Sequence, residues 1–269
     1  MARKHLGGID MKIARFVTHG NEKYGLIENG QISAIKGLPW ESLETTDEAY
    51  PLDAVKLLAP VQPQDVFAIG LNYRMHADES GMKRPTAPVV FLKTSSSVVG
   101  PDDDIVLPEM APNEVDYEAE LVIVIGRKCR KVSEADALDY VLGYICGNDV
   151  SARDCQLKQD AQWARGKSFE TFCPVGPWIE TDIDPDNQEI SLKLNGQVMQ
   201  SSNTNDMIFN CAQLVSYCSQ ITTLHPGTII MTGTPSGVGF ARKEPVFLKS
   251  GDKVEVIIGG IGTLSNGVV

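Results

Sequence analysis

The most constraining feature of this sequence is an acidic segment that leads directly into an apolar run. Residues 116–126 read DYEAELVIVIG. The β-branched residues predict a buried strand, and side chains two positions apart on a strand point to the same face. Glu118 and Glu120 should therefore project together, on the face that Val122 also occupies. Two like charges beside a hydrophobic core are unfavourable unless a positive charge lies between them.

A third carboxylate, Asp149, ends the apolar stretch GYICGND at residues 143–149. Three carboxylates without a neighbouring His or Cys suit a hard, oxygen-preferring ion. The sequence thus predicts a site for Mg²⁺ or Mn²⁺ at Glu118, Glu120 and Asp149. The alternative is that the Glu-x-Glu pair is a solvated strand face with Lys or Arg opposite, which is the commoner role of such a pair taken alone.

Composition excludes several classes of partner. The formal net charge of −11 argues against binding to nucleic acid or to an anionic membrane surface, although a small anionic substrate stays compatible with a local metal. No apolar stretch approaches the ~20 residues that span a bilayer. The six cysteines form no C-x-x-C motif or zinc-finger spacing, and with no signal peptide they predict a reducing, cytoplasmic location.

The chain divides into three parts. Residues 1–10 resemble a leader or added extension before a second Met, residues 11–60 a small N-terminal β domain, and residues 61–269 the main domain. Asn-Gly dipeptides at 29–30 and 195–196 predict two-residue hairpin turns.

Short strands dominate the main domain, and only two helices are predicted. One covers residues 134–141 after a capping box at Ser133, and the other covers about 207–219 with Asn205 or Asp206 as its N-cap. Many strands without regular β-α alternation predict a β-rich α+β fold rather than a doubly wound sheet.

Three further clusters could carry chemistry. His76 and Glu79 share a face if they lie on one helical turn, and a carboxylate beside imidazole makes it a better general base. Lys167 lies in the segment WARGKSF and could stabilise a developing enolate. The glycine-rich loop at 233–239 could bring backbone N–H groups close to a ligand. Each cluster alone is more simply a solvated surface residue, a basic loop or a tight connector.

Together the clusters resemble the fumarylacetoacetate hydrolase family, specifically its acylpyruvase-like bacterial and mitochondrial branch. The matching segments occur in the family's order across residues 65–265, and they are GLNY with His76 and Glu79, then DYEAEL, GNDVSARD, GKSF and TGTPSGVG. Each segment is a weak signal, but five in series are a strong one.

The resemblance implies a mixed β-roll that buries a Mg²⁺ or Mn²⁺ site, usually within a homodimer. It implies that Glu118, Glu120 and Asp149 are the metal ligands. The implied catalytic residues are His76 and Glu79 on a mobile lid, together with Lys167. The implied substrate contacts are Tyr73, Arg153, Gln156 and Thr234.

The implied reaction is hydrolysis of a carbon–carbon bond in a 1,3-dicarbonyl 2-oxo acid, an acylpyruvate-like substrate, through a metal-chelated enolate. Decarboxylation or tautomerisation of oxaloacetate uses the same enolate, and a ureidoglycolate-type lyase would need the same metal site. The non-enzymatic alternative is a metal-stabilised binding protein. The sequence leaves the choice of reaction and the group beyond the 2-oxo acid moiety open.

Overall fold

The computed structural model describes residues 11–269, and the predicted leader at residues 1–10 lies outside them. The N-terminal unit is a set of antiparallel strands: β1 (Lys12–Thr18), β2 (Asn21–Glu28), β3 (Gln31–Ile35), β4 (Thr45–Pro51) and β5 (Lys56–Leu58). Asn29 and Gly30 have φ angles of 49° and 76°, which confirms the predicted hairpin turn between β2 and β3.

The main domain contains the remaining strands and the three α-helices of the described chain. Its strands are β6 (Val66–Gly70), β7 (Val89–Lys93), β8 (Val98–Val99), β9 (Val115–Asp116), β10 (Ala119–Ile125), β11 (Val141–Asn148), β12 (Ser151–Ala152), β13 (Cys173–Glu180), β14 (Glu189–Leu194), β15 (Gln197–Asn203), β16 (Ile229–Met231), β17 (Lys253–Ile258) and β18 (Gly262–Gly267). The helices are α1 (Arg74–Glu79), α2 (Ala164–Lys167) and α3 (Cys211–Ile221).

Most strands belong to one large mixed sheet. Its order is β4-β3-β2-β1-β13-β11-β10-β16-β6-β7, and β1 joins the N-terminal unit to the main domain by pairing antiparallel with β13. A second, four-stranded sheet has the order β15-β14-β17-β18. The strand-rich mixed architecture confirms the predicted α+β fold class.

Strand β10 lies at the centre of the large sheet, and every one of its residues is buried. Leu121 and Ile123 pack into the core that contains α3 and the four-stranded sheet. Val122 and Val124 pack into the core on the opposite face. This alternation confirms that a strand of period two follows the acidic pair, and it places Glu120 on the same side as Val122.

Both helix predictions need correction. The segment predicted as a helix at 134–141 forms only a 3₁₀ turn, Ala137–Tyr140, because Val141 already pairs with Ile125 at the start of β11. The later helix begins at Cys211, with Asn210 and Gln213 forming its capping box, rather than near residue 207.

The later start of α3 has a tertiary cause. Met207 forms an isolated bridge with Tyr73, and the Ile208 N–H donates to the Asn72 carbonyl oxygen at 2.7 Å. These bonds hold the chain extended before the helix begins. None of the helices within residues 11–269 has the length and apolarity needed to cross a bilayer, and the six cysteines are all unpaired and buried.

Candidate metal centre and active site

The three predicted ligands meet at one end of the β10–β11 pair. Ala119 pairs with Asn148, so Glu118 and Asp149 flank the ladder from opposite strands, and the Asp149 N–H donates to the Glu118 carbonyl oxygen at 2.9 Å. Glu118, Glu120 and Asp149 each offer a carboxylate oxygen, and these oxygens lie within 4.8 Å of one another. All three residues are buried.

Three buried cations surround these carboxylates. The Lys167 Nζ lies 2.8 Å from a Glu118 oxygen and 2.6 Å from an Asp149 oxygen. The Lys93 Nζ donates to the other Asp149 oxygen. Arg153 lies 2.7 Å from Glu118 through its Nη2 atom. Such a dense buried network is stable only when each charge has partners, because unpaired charges are strongly penalised in the protein interior.

The carboxylates differ in their affinity for protons. Burial raises the pKa of Glu120 well above its ordinary value, and the charges of Asp149 and Glu118 raise it further. Burial acts on Glu118 in the same direction, but Lys167 and Arg153 outweigh it and lower the pKa of Glu118. Burial lowers the pKa of Lys167, yet Asp149 and Glu118 more than compensate, so the pKa of this ammonium group is raised.

This donor set fits a hard divalent cation. It consists of carboxylate oxygens from three residues, which is the ligand type that Mg²⁺ and Mn²⁺ prefer. Burial is the main cause of the raised pKa of Glu120, and the charges of Asp149 and Glu118 add to it; a cation among the three oxygens would offset both effects. The acidic triad can therefore hold a metal ion.

Three N–H groups of the glycine-rich loop at 233–239 donate to protein carboxylates, and contact of the loop with a ligand stays a prediction. The N–H of Gly233 donates to Glu120 at 2.7 Å, and the N–H of Gly239 donates to Asp116 at 2.8 Å. Gly233 has a φ of 94°, which favours glycine. At Gly239 a Cβ would lie 1.9 Å from the Val246 carbonyl oxygen, so no side chain fits.

Helix α1 carries the predicted dyad and is docked over the centre. The His76 Nδ1 lies 3.3 Å from a Glu79 oxygen, and the Gly237 N–H lies 3.1 Å from both oxygens of that carboxylate. Burial raises the pKa of Glu79, but the bonds from His76 and Gly237 outweigh it and the net pKa is lowered. Glu79 is thus ionised at neutral pH, and its carboxylate favours the His76 tautomer that carries the proton on Nδ1 and donates a hydrogen bond to Glu79.

The cleft beside this centre brings most of the predicted site residues together. Its lining includes His76, Glu118, Asp149, Arg153, Gln156, Lys167 and Thr234. Thr234 accepts a hydrogen bond from Gln200 at 2.8 Å, and Gln156 accepts one from Arg153 at 2.8 Å.

Tyr73 is placed differently from the other predicted substrate contacts. It has no exposed surface, belongs to the main hydrophobic core and is not among the residues that line the cleft. Burial raises the pKa of its hydroxyl well above the ordinary value. Its role as a substrate contact stays a prediction.

Two residues that organise the site were missed by sequence reasoning. Lys93 ends β7, and Asp116 accepts bonds from the Arg153 Nε at 2.8 Å and from the backbone of the glycine-rich loop. Asp116 is only two residues from Glu118 in the sequence, and this short separation could have indicated that it belongs to the site. A single Lys at the end of an apolar strand, by contrast, gives no indication of a partner 56 residues away.

Comparison with known proteins covers nearly the whole described chain. The family model described as Fumarylacetoacetate (FAA) hydrolase C-terminal matches residues 65–269, and one described as Rv2993c-like, N-terminal, matches residues 11–60. The fumarylacetoacetate hydrolase from Exiguobacterium antarcticum has a solved structure that superposes with a TM-score of 0.87 at 37% identity, covering 96% of this chain and 99% of that one.

Two relatives with named reactions are also similar. Oxaloacetate tautomerase Fahd2a, mitochondrial, of Rattus norvegicus is 47% identical, with 81% of this chain and 71% of that protein covered. The 2,4-didehydro-3-deoxy-L-rhamnonate hydrolase of Sphingomonas sp. (strain SKA58) is 44% identical, with 94% of each chain covered. The names of these two relatives specify different reactions, although both are more than 40% identical to this chain.

Proposed function

This chain belongs to the fumarylacetoacetate hydrolase family, and from that premise we propose that it is a Mg²⁺- or Mn²⁺-dependent enzyme that hydrolyses a carbon–carbon bond in an acylpyruvate-like 2-oxo acid. The observation that carries the proposal is the acidic triad, whose oxygens lie within 4.8 Å of one another and of which Glu118 and Asp149 line the same cleft as His76. Glu118, Glu120 and Asp149 are the proposed metal ligands.

A divalent cation held by the triad would supply Lewis-acid polarisation of the 2-oxo group. The chain's own residues supply the remaining chemistry. Lys167 and Arg153 place fixed positive charge beside the triad, where an enolate oxygen would gain negative charge. The triad is buried, and exclusion of water strengthens these electrostatic interactions.

In the proposed hydrolysis, the His76 Nε2 takes a proton from water while the water oxygen bonds to the distal carbonyl carbon. The bond between that carbon and the neighbouring methylene then breaks, and its electron pair passes to the pyruvate part as an enolate. His76 returns the proton to the methylene carbon, which gives a carboxylic acid and pyruvate. Glu79 holds the ring through Nδ1 at 3.3 Å throughout.

A second candidate is tautomerisation of oxaloacetate, and the 47% identity to the rat tautomerase favours it. His76 would then move a proton between the substrate carbon and its enol oxygen, without an attacking water. The two reactions share the triad, the dyad and the stabilisation of an enolate. They differ in whether a carbon–carbon bond is broken.

A substrate panel separates these candidates. Acetylpyruvate, fumarylpyruvate and oxaloacetate would be incubated with Mg²⁺ or Mn²⁺ while both substrate loss and enol content are followed. Hydrolysis of an acylpyruvate supports the proposal, whereas enol–keto interconversion alone supports the tautomerase.

The variant His76→Ala tests the mechanism within the same assay. It should lose ~10²–10⁴ in rate, the usual contribution of a general base, while the affinity for Mg²⁺ stays within about twofold of wild type. A variant that retains the wild-type rate would remove His76 from the mechanism. The homodimer and the cytoplasmic location stay predictions. Light scattering would measure the oligomeric state.

A further inference from the structure

Part of the cleft lining consists of large apolar side chains. We call it the apolar wall, and it consists of Leu71, Met82, Phe91, Leu157 and Trp163. The Trp163 ring packs edge-on against Phe91 with 5.5 Å between centroids, and Phe91 in turn lies 5.3 Å from the Lys167 Nζ. The wall therefore begins directly beside the charged centre.

A glycine in β6 makes room for the Trp163 ring of the apolar wall. A Cβ on Gly70 would lie 2.6 Å from the Trp163 ring, so the absence of a side chain at Gly70 lets the indole lie against β6. At the rim, Met82 and Leu157 keep 48% and 45% of their surface exposed. Large apolar side chains exposed at the mouth of a cleft are typical of a ligand-binding surface.

Among residues 11–269, the Lys and Arg side chains that line the cleft already contact carboxylates of the protein. Arg153 contacts Asp116, Glu118 and Gln156, and Lys167 contacts Glu118 and Asp149. Lys83, beside Met82, is exposed and does not line the cleft. The other cations within two residues of the wall in sequence are all in ion pairs: Lys93 with the buried Asp149 and, at the surface, Arg84 with Asp78, Lys158 with Glu114 and Arg165 with Asp160.

The net charge of the buried centre also favours a substrate with a single carboxylate. Its carboxylates, counted as ionised, exceed its cations by one, and a divalent cation in the triad would make the centre positive by one charge. That excess matches a single substrate carboxylate. The groups counted are Asp116, Glu118, Glu120 and Asp149 against Lys93, Arg153 and Lys167.

We propose that the apolar wall binds an uncharged, apolar tail of the substrate. The inference rests on the proposed function and narrows it: the substrate is a 2-oxo acid with one carboxylate and an alkyl or aryl group at the far end, rather than a dicarboxylate such as oxaloacetate. A second carboxylate against Met82, Leu157 and Trp163 would lose hydration without gaining a cation.

Binding of unreactive oxamates tests this assignment without relying on turnover. The probes are oxamate, N-butyloxamate and N-oxalyl-β-alanine, because the last two have tails of similar length that differ in charge. Calorimetry with Mg²⁺-loaded protein should show N-butyloxamate binding at least ~10-fold more tightly than oxamate, since each buried CH₂ contributes about fourfold. N-oxalyl-β-alanine should bind no more tightly than oxamate.

A matched pair of variants locates the effect. Leu157→Lys puts a cation on the wall, and it should weaken N-butyloxamate and strengthen N-oxalyl-β-alanine, each by ~10-fold or more. Val198→Lys makes the same change at a residue that is 52% exposed and outside the cleft lining, and it should leave both affinities unchanged.

The outcomes separate this inference from the proposed function. If oxamate shows no metal-dependent binding, the proposed 2-oxo acid site fails, and the inference fails with it. If oxamate binds but N-oxalyl-β-alanine equals or exceeds N-butyloxamate, the apolar-tail inference alone is overturned, and oxaloacetate becomes the better substrate. Unchanged selectivity in Leu157→Lys would also overturn it.

Discussion

The N-terminal unit and the metal centre both contain close Lys–carboxylate pairs, yet the pairs lie in opposite environments. Lys36 and Glu44 meet on the N-terminal unit with more than half of each side chain exposed, whereas Lys93 and Asp149 meet with 0% and 1% exposed. An exposed pair gains little because water already solvates both charges. A buried pair must compensate for the lost hydration of both ions.

The difference in exposure explains why the buried charges of the centre form a network of shared ion pairs, whereas Lys36 and Glu44 form a single pair. Asp149 binds both Lys93 and Lys167, and Glu118 binds both Lys167 and Arg153, so these two carboxylates are linked through Lys167. Glu120 accepts a hydrogen bond from the Gly233 N–H instead. A single ion pair is stable at the surface because water still solvates it, whereas a buried pair needs further partners to replace the lost hydration. The clustering in the interior, at a stability cost that apolar residues would avoid, indicates that function retains these charges.

The largest effect on stability should follow removal of a buried cation. Lys93→Met leaves Asp149 with Lys167 as its remaining ammonium partner, and we expect the free energy of unfolding to fall by about 3 kcal/mol. Urea unfolding measures the change. Lys36→Met is the matched control on the exposed pair, and it should change the free energy by less than about 1 kcal/mol. Equal effects in the two variants would contradict the comparison.

Loss of a proposed ligand should act mainly on metal affinity. Glu118→Gln keeps the size of the side chain but removes its charge, and Mg²⁺ or Mn²⁺ binding should weaken by more than ~100-fold, beyond the usual effect of a residue that only supports a ligand. Titration calorimetry measures the affinity, with Glu44→Gln as the control. Wild-type affinity in Glu118→Gln would exclude this carboxylate from the metal site.

A smaller effect is expected at the buried hydroxyl of Tyr73, which has no hydrogen-bond partner among the described residues. Tyr73→Phe should leave the protein as stable as wild type or more stable by about 1 kcal/mol, because an unsatisfied polar group is removed. The KM for the best substrate of the panel should not change. A several-fold rise in KM would instead support the predicted substrate contact.

The smallest effect concerns the docking of α1. Because the pKa of Glu79 lies below its ordinary 4.5, its contribution to stability is fully present above pH 4.5 and is lost as the pH falls through the lowered pKa. The difference in urea midpoint between wild type and Glu79→Gln should therefore shrink below pH 4.5. A difference that stays constant between pH 7 and the lowest accessible pH would argue that the Glu79 charge does not hold the helix.

Much of the site follows from local rules. The period of two along β10 places Glu120 on the side of Val122, Glu118 directly precedes that strand, and the Asn195-Gly196 turn confirms the predicted hairpin between β14 and β15. The order of the five segments predicted the family, which the match over residues 65–269 confirms. The start of α3 could not be predicted in this way, because the bridge between Met207 and Tyr73 comes from a distant part of the chain.

The sequence by itself determined the strand pattern, the family and the acidic triad, because these depend on residues close in the chain or on the order of motifs. Only the tertiary structure decided that Lys93 and Asp116 belong to the centre, that the glycine-rich loop binds carboxylates, and that part of the cleft lining is apolar. The physical reason is that a side chain's charge partners are set by how distant elements pack in three dimensions: Lys93 on β7 meets Asp149 although β7 and β11 are not neighbours in the sheet. Burial then makes those partners obligatory.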